Sequence, residues 1–113
     1  MFLNLTLIKE EKIILQTQNI PYTKKDTTIF FEIEGMKHQI DLEKKWLIRE
    51  NEEFYFFIDL EQEKCTYKLK KEEIELNIIV DDAFFHQMNN TLEINYAIET
   101  DDEKIKILIE YIN

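Results

Sequence analysis

The sequence predicts a single all-β domain spanning residues 1–113, an antiparallel up-and-down β-barrel of about 8–10 short strands. Three observations predict this fold. Apolar and polar residues alternate with a period of two along nearly the whole chain. The gaps between the alternating segments are short and charged, as hairpin connections are. Closing so many short strands into a barrel would remove the exposed edges of the sheet.

Composition agrees with one globular domain and narrows the range of partners. The chain is 44% hydrophobic and carries eight Phe, five Tyr and one Trp, enough apolar surface for a core. Its net charge of −10 disfavours nucleic acid and anionic membrane surfaces, because binding to either depends on Lys and Arg. The first eight residues lack the basic start of a signal peptide, so we expect a cytoplasmic protein.

At the amino terminus the pattern predicts two strands, at residues 2–8 and 13–19, joined by a charged turn at 9–12. Pro21 is expected to end the second strand, and residues 23–26 are expected to form a loop.

Seven further segments carry the alternation, with tight turns expected at Gly35 and at Asn89-Asn90. Another turn is expected at residues 100–102. The apolar members of these segments are expected to face the interior: Ile29, Phe31 and Ile33; Met36, His38, Ile40 and Leu42; Phe54, Phe56, Ile58 and Leu60; Cys65, Tyr67 and Leu69; Ile74, Leu76, Ile78 and Val80; Leu92, Ile94, Tyr96 and Ile98; Ile105, Ile107, Ile109 and Tyr111.

Two stretches fit the pattern less well. A short strand is predicted at residues 45–50, centred on Trp46 and Ile48, although the Glu and Lys content of residues 36–53 would also suit a helix. Residues 82–88 lose the alternation, and Asp82 could cap one helical turn there.

The interior of a small barrel either is filled by side chains or holds one small ligand. If a cavity is present, we expect it to be lined by aromatic residues, with His38 or a tyrosine hydroxyl as the polar anchor. The predicted ligand-binding residues are Phe31, His38, Phe54, Phe56, Tyr67 and Tyr96.

Several strands are also apolar on the face that should meet water, and such surfaces are commonly covered by a partner. Leu47 and Tyr55 belong to this outer set. Homodimer contact is therefore a hypothesis, with Phe30, Phe57, Ile79 and Leu108 as its predicted interface.

Four strand motifs in the second half of the chain resemble those of a known family. They are Cys65-Thr-Tyr-Lys-Leu69, Ile74-Glu-Leu-Asn-Ile78, Leu92-Glu-Ile-Asn-Tyr96 and Ile105-Lys-Ile-Leu-Ile109-Glu-Tyr111. In this order they are similar to the YwiB-like family of small bacterial proteins, which has a calycin-type (lipocalin-like) barrel. The resemblance covers roughly the last 50 residues and implies the fold; the family brings no established catalytic residues.

Residues that could carry chemistry are few and scattered. Cys65 is the only cysteine, so no intramolecular disulfide can form, and its strand position predicts a buried thiol. The two histidines show no zinc-ligand spacing, and the acidic pairs at residues 81–82 and 101–102 do not match a calcium loop. We therefore predict a non-enzymatic protein with no metal and no cofactor.

Two functions remain open on the sequence. The first is a binding module that takes a small apolar or amphipathic ligand through one open end of the barrel. The second is an interaction or structural protein with a solid core, which self-associates through its outer aromatic patch.

Overall fold

Ten strands follow one another along the chain, each antiparallel to its neighbours. The computed structural model describes residues 1–99 and 103–112, and no helix occurs in this part of the chain. The strands are β1 (Phe2–Lys9), β2 (Lys12–Lys25), β3 (Thr28–Ile33), β4 (Met36–Asp41), β5 (Trp46–Glu50), β6 (Phe54–Asp59), β7 (Lys64–Leu69), β8 (Ile74–Met88), β9 (Thr91–Ile98) and β10 (Glu103–Ile112).

The sheet closes because β1 pairs with β2 on one side and with β10 on the other. This confirms the predicted all-β, up-and-down barrel, whereas the narrower calycin-type assignment stays a prediction. The helical alternative for residues 36–53 is wrong, since β4 and β5 occupy most of that segment. Within the described residues there is no helix of the length and hydropathy needed to cross a membrane. The turn predicted at residues 100–102 lies outside the described residues.

The two longest strands change partner midway and so form the corners of the barrel. Residues 12–21 of β2 pair with β1, and residues 22–25 pair with β3. In β8, residues 74–79 pair with β7 and residues 80–88 with β9. Strands that pass from one sheet to another in this way divide a barrel into two walls. Wall 1 consists of β1, β9, β10 and the strand halves paired with them; wall 2 consists of β3 to β7 and the other two halves.

The prediction that Pro21 ends the second strand is wrong, and residues 23–25 are not a loop. Pro21 lies at the corner where β2 leaves β1 for β3, a position at which the missing proline N–H is tolerated. Pairing with β3 begins at the next residue, Tyr22, whose N–H donates to the carbonyl of Met1 on the β1 side at 3.0 Å.

The helical turn predicted near Asp82 is also wrong, because residues 82–88 continue β8 as a strand. One extra residue lies between Asp81 and Phe84 relative to β9, and Asp82 adopts a φ of 52° there. Such a bulge reverses which residues face inside. Val80 faces the core before it, and Ala83 and Phe85 face the core after it. The alternation looks broken in the sequence because the inward-facing positions change at the bulge from even-numbered to odd-numbered residues.

Short turns set the register of the hairpins. The β1–β2 turn is Glu10-Glu11, with φ of 51° and 64°, as the charged turn at residues 9–12 predicted. The β3–β4 turn is Glu34-Gly35, with φ of 49° and 82°. Two successive residues with positive φ match the right-handed twist of the flanking strands, and the tight turn predicted at Gly35 is confirmed.

Two longer turns use the same sequence, Ile-Asp-Leu-Glu, at residues 40–43 and 58–61. In each, the Oδ1 atom of the aspartate, Asp41 or Asp59, accepts hydrogen bonds from the backbone N–H groups two and three residues further on, at 2.9–3.0 Å. The last turn residue, Lys45 or Glu63, has a positive φ that returns the chain to the sheet. These side-chain bonds replace the missing backbone pairs of the turn.

Most residues expected to face inward form one core. The buried hydrophobic residues are Leu3, Leu5, Ile20, Ile29, Phe31, Ile33, Ile40, Leu47, Phe56, Ile58, Leu60, Cys65, Val80, Leu92, Ile94, Tyr96, Ala97, Ile107 and Ile109. Ile74 and Leu76 are exceptions, since they are about half exposed. Among the described strands, the part of β8 that holds them pairs with β7 alone, so none of these strands covers its other side.

The predicted facing of β5 is wrong by one residue. Leu47 was expected on the outer face, yet it is 1% exposed and packs in the core, opposite Ile40 and Ile58. Trp46 and Ile48 consequently face outward, and the next inward residue is Arg49.

We expect Asp41→Ala to lower the free energy of unfolding by about 1–2 kcal/mol at pH 7, because two backbone N–H groups lose their acceptor. Asp41→Asn keeps a carbonyl oxygen in place and should lose less than half as much. Urea denaturation of the three proteins measures both differences, and equal stability of Asp41→Ala and the wild type would contradict this account of the turn.

The same hydrogen bonds, that of Lys44 above all, hold the pKa of Asp41 below its ordinary 3.8. The carboxylate therefore stabilises the fold above that pH, and its contribution is lost as pH falls through the lowered pKa. The gap between Asp41→Ala and the wild type should accordingly narrow as the pH is taken well below 3.8.

Candidate functional site

A partly enclosed cavity of about 200 Å³ lies between the two walls, at the end of the barrel that holds the β3–β4 turn. It exists because β3 pairs with β2 only as far as Phe31, so the walls diverge beyond that residue. Wall 1 contributes Leu5, Leu7, Leu15 and Ile107 to its lining; wall 2 contributes Phe31, Ile33, Glu34, Met36, His38, Ile40, Leu47 and Arg49.

A row of directly opposed residues crosses wall 2 on its inner face. It runs from Phe31 through His38, Arg49 and Phe56 to Tyr67, one residue from each strand from β3 to β7. Opposed side chains on one face of a sheet are near enough to touch. The His38 ring stacks on Phe31, with centroids 4.7 Å apart and planes at 4°. The row therefore sets Arg49 between a stacked imidazole and the aromatic core.

Arg49 is the only arginine of the chain, and its charge is not neutralised within the described residues. Its Nε atom is fully buried and has no hydrogen-bond partner. The ion pairs found in residues 1–99 and 103–112 are Lys9–Glu103 and Lys70–Glu50, neither of which involves Arg49. The side chain as a whole is only partly buried, so Arg49 presents its guanidinium to the cavity while its Nε is shielded from water.

Two polar side chains near Arg49, those of His38 and Tyr96, are neutral at pH 7. Burial, with a smaller contribution from the Arg49 charge, lowers the pKa of His38 to about 4. Burial raises the pKa of Tyr96 to about 12, while Arg49 acts in the opposite direction through its charge and a polar contact. Glu34, in the exposed β3–β4 turn, is the acidic member of the lining. Arg49 therefore supplies the positive charge of the cavity.

Of the six predicted ligand-binding residues, only Phe31 and His38 line this cavity. The other four form an aromatic cluster beside it. Phe54 lies 5.6 Å from Tyr67 between ring centroids, and Phe56 lies 6.4 Å from both Tyr67 and Tyr96. This cluster fills the part of the interior next to the cavity. The sequence reasoning missed Arg49 because it placed the other face of β5 inside.

The four predicted interface residues do not form one surface. Phe30 and Phe57 share the outer face of wall 2, in a row with Gln39 and Ile48 between them. Ile79 is 62% exposed and lies on the wall-2 half of β8, opposite Lys64.

Leu108 belongs to the outer face of wall 1, where it lies opposite Thr6 and Glu93. It forms part of a broad surface groove of about 540 Å³ whose lining includes Gln16, Gln18 and Glu110. A homodimer that forms through one surface patch would therefore use only some of the four predicted interface residues.

The remaining reactive groups are not gathered into a site. Cys65 is buried as predicted, and burial raises the pKa of its thiol to about 11, which disfavours the thiolate. His86 is exposed and stacks on Phe84 at 5.8 Å. Among residues 1–99 and 103–112 no group of three metal-ligating side chains comes together. The acidic pair at residues 101–102 lies outside that range.

Comparisons of the chain with protein-family models, with curated proteins and with solved structures give no match. The resemblance to the YwiB-like family therefore stays a prediction.

The lowered pKa of His38 predicts a pH dependence of stability. Between pH 6.5 and about 4 the unfolded chain binds a proton at this histidine that the folded protein does not, so acid favours unfolding. The effect is absent above pH 6.5 and complete below about 4. At 1.36 kcal/mol per unit of pKa, the full loss of stability amounts to about 3 kcal/mol.

His38→Gln removes this titration, so its free energy of unfolding should fall less steeply between pH 6.5 and 4.5 than that of the wild type. Urea denaturation across that range measures the slopes. His86→Gln, at the exposed histidine, is the matched control and should follow the wild type. Parallel wild-type and His38→Gln curves would show that His38 is not buried as described.

Proposed function

We propose that the protein is a non-enzymatic binding module that takes one small, largely apolar molecule into the barrel, through the end that holds the β3–β4 turn. The observation that carries this proposal is the cavity of about 200 Å³ between the walls. Cores are normally packed to crystal-like density, with few voids larger than a water molecule. A space of this size with an apolar lining is therefore suited to a ligand.

The volume sets the size of the ligand. It equals about seven liquid waters at roughly 30 Å³ each, and somewhat exceeds the roughly 150 Å³ engineered cavity that accepts benzene. A body of about six to ten heavy atoms fits, whereas a long lipid does not. The aromatic cluster of Phe56, Tyr67 and Tyr96 closes the deeper interior, so the ligand occupies only one end of the barrel.

The residues that line the cavity are also suited to a small, largely apolar molecule with one polar group. Leucine, isoleucine and methionine side chains from both walls supply most of it, and burial of apolar ligand surface against them favours binding by about 25 cal/mol per Å². His38 and Arg49 lie together on one side, so a ligand with one polar group has a single favoured orientation. In this proposal His38, one of the polar anchors expected from the sequence, acts together with Arg49.

The alternative function, a solid barrel that self-associates through an outer aromatic patch, has weaker support. The interior holds a cavity instead of continuous packing. The residues predicted for the patch are divided between the outer faces of two walls, with Phe57 on wall 2 and Leu108 on wall 1. Cavity binding is accordingly the function we prefer.

Filling the cavity should abolish binding of a small apolar probe. We expect toluene to cause saturable shifts of the Leu5, Ile33 and Ile107 methyl signals in carbon-13 methyl NMR of the wild type. At ~0.7 kcal/mol per heavy atom the Kd would be about 0.1–1 mM. In Leu15→Trp the indole occupies the cavity, so the Kd should rise at least tenfold.

Ile14→Trp is the matched control, because it places the same ring on an exposed neighbour in β2. It should bind toluene as the wild type does, and circular dichroism verifies that both variants keep the barrel. A wild type without saturable shifts, or a Leu15→Trp variant that binds normally, would refute cavity binding.

A further inference from the structure

We infer that the bound molecule is a small monocarboxylate, with an apolar body in the cavity and its carboxylate paired with the guanidinium of Arg49. This inference rests on the proposed function, since it names the chemical class of ligand for the same cavity. It goes beyond that function because it specifies the charge of the ligand and the residue that binds the charged group.

The first support is the unpaired Nε–H group of Arg49. Its buried Nε has no acceptor, and the guanidinium pairs with no carboxylate of the described residues. Native structures rarely leave a buried N–H of a charged group without a partner. A ligand that brings an acceptor into the cavity would supply that partner.

The second support is geometric. A guanidinium presents parallel N–H groups in a fixed plane, which match the two oxygens of a carboxylate. Arg49 lies on the inner face of β5 between His38 and Phe56, so its side chain is held within the sheet and not on a loop. Rigid placement favours a bidentate pair over a loose ionic contact.

The third support is the charge of the surroundings. Arg49 brings one positive charge, and its neighbours His38 and Tyr96 remain uncharged near neutral pH because burial opposes their ionisation. A single negative charge on the ligand completes a neutral pair. A phosphate monoester carries about two negative charges, so one of them would stay unpaired in a largely apolar lining.

The net charge of the chain bears on how a preference for an acid over a neutral molecule would be interpreted. With a charge of −10, the protein surface repels anions, so non-specific adsorption favours a neutral molecule over an acid. A preference for the acid must therefore come from the cavity. The volume limits the apolar body to a short acyl chain or a single ring.

The test compares hexanoate with hexanamide, a neutral molecule of nearly the same shape, by methyl NMR titration at pH 7.5. We expect wild-type protein to bind hexanoate at least tenfold more tightly than hexanamide. In Arg49→Met that preference should fall below about twofold, because hexanoate loses a charged, bidentate pair whereas hexanamide loses at most a neutral hydrogen bond. Arg49→Gln serves as a second variant, and circular dichroism shows that each is folded.

The outcomes separate the two proposals. If hexanamide binds and hexanoate binds no better, the carboxylate inference is wrong while cavity binding stands. If Arg49→Met and Arg49→Gln keep the preference for hexanoate, Arg49 is not the group that reads the charge and the inference fails. If neither probe binds the wild type, the proposed function fails and the inference falls with it.

Discussion

The register of β5 is the constraint on which the site depends. Leu47 is held in the core between Ile40 and Ile58, and burying a leucine side chain stabilises a fold by about 1.5–3 kcal/mol. Successive side chains of a strand alternate between faces, so an inward Leu47 requires an inward Arg49. A slip of one residue would instead place Trp46 inside and move the arginine to the surface. The packing of Leu47 thus turns the charged side chain of Arg49, two residues further on, toward the interior.

The cavity follows from the way the barrel closes. β2 and β8 each serve two walls, and a strand that changes partner cannot cover both walls along its whole length. Beyond Phe31 the edge of β3 that faces β2 has no paired strand among the described residues, which leaves the space that Leu7 and Leu15 face from wall 1. The same incomplete cover leaves Leu76 half exposed. The partner changes of β2 and β8 therefore both close the barrel and leave part of its interior accessible.

The sequence predicts the barrel well because a period of two is hard to mistake over so many segments. It fails where the period breaks. The bulge at Asp82 shifts the phase of β8, and Pro21 marks a change of partner that a single strand cannot reveal. In β5, adjacent apolar residues allow either facing, and only the partners across the sheet decide between them. The repeated Ile-Asp-Leu-Glu at residues 40–43 and 58–61 was a readable turn signal.

Whether the sole arginine faces the interior of the barrel, with its Nε shielded from water, can be tested directly by solution NMR of the wild-type protein. One arginine gives one Nε–Hε signal, which is assigned without ambiguity. The account predicts slow exchange of that proton with water and nuclear Overhauser effects from it to ring protons of His38 and Tyr96. A rapidly exchanging proton, with contacts only to outward residues such as Ile48 or Glu50, would contradict the register of β5 and the site built on it.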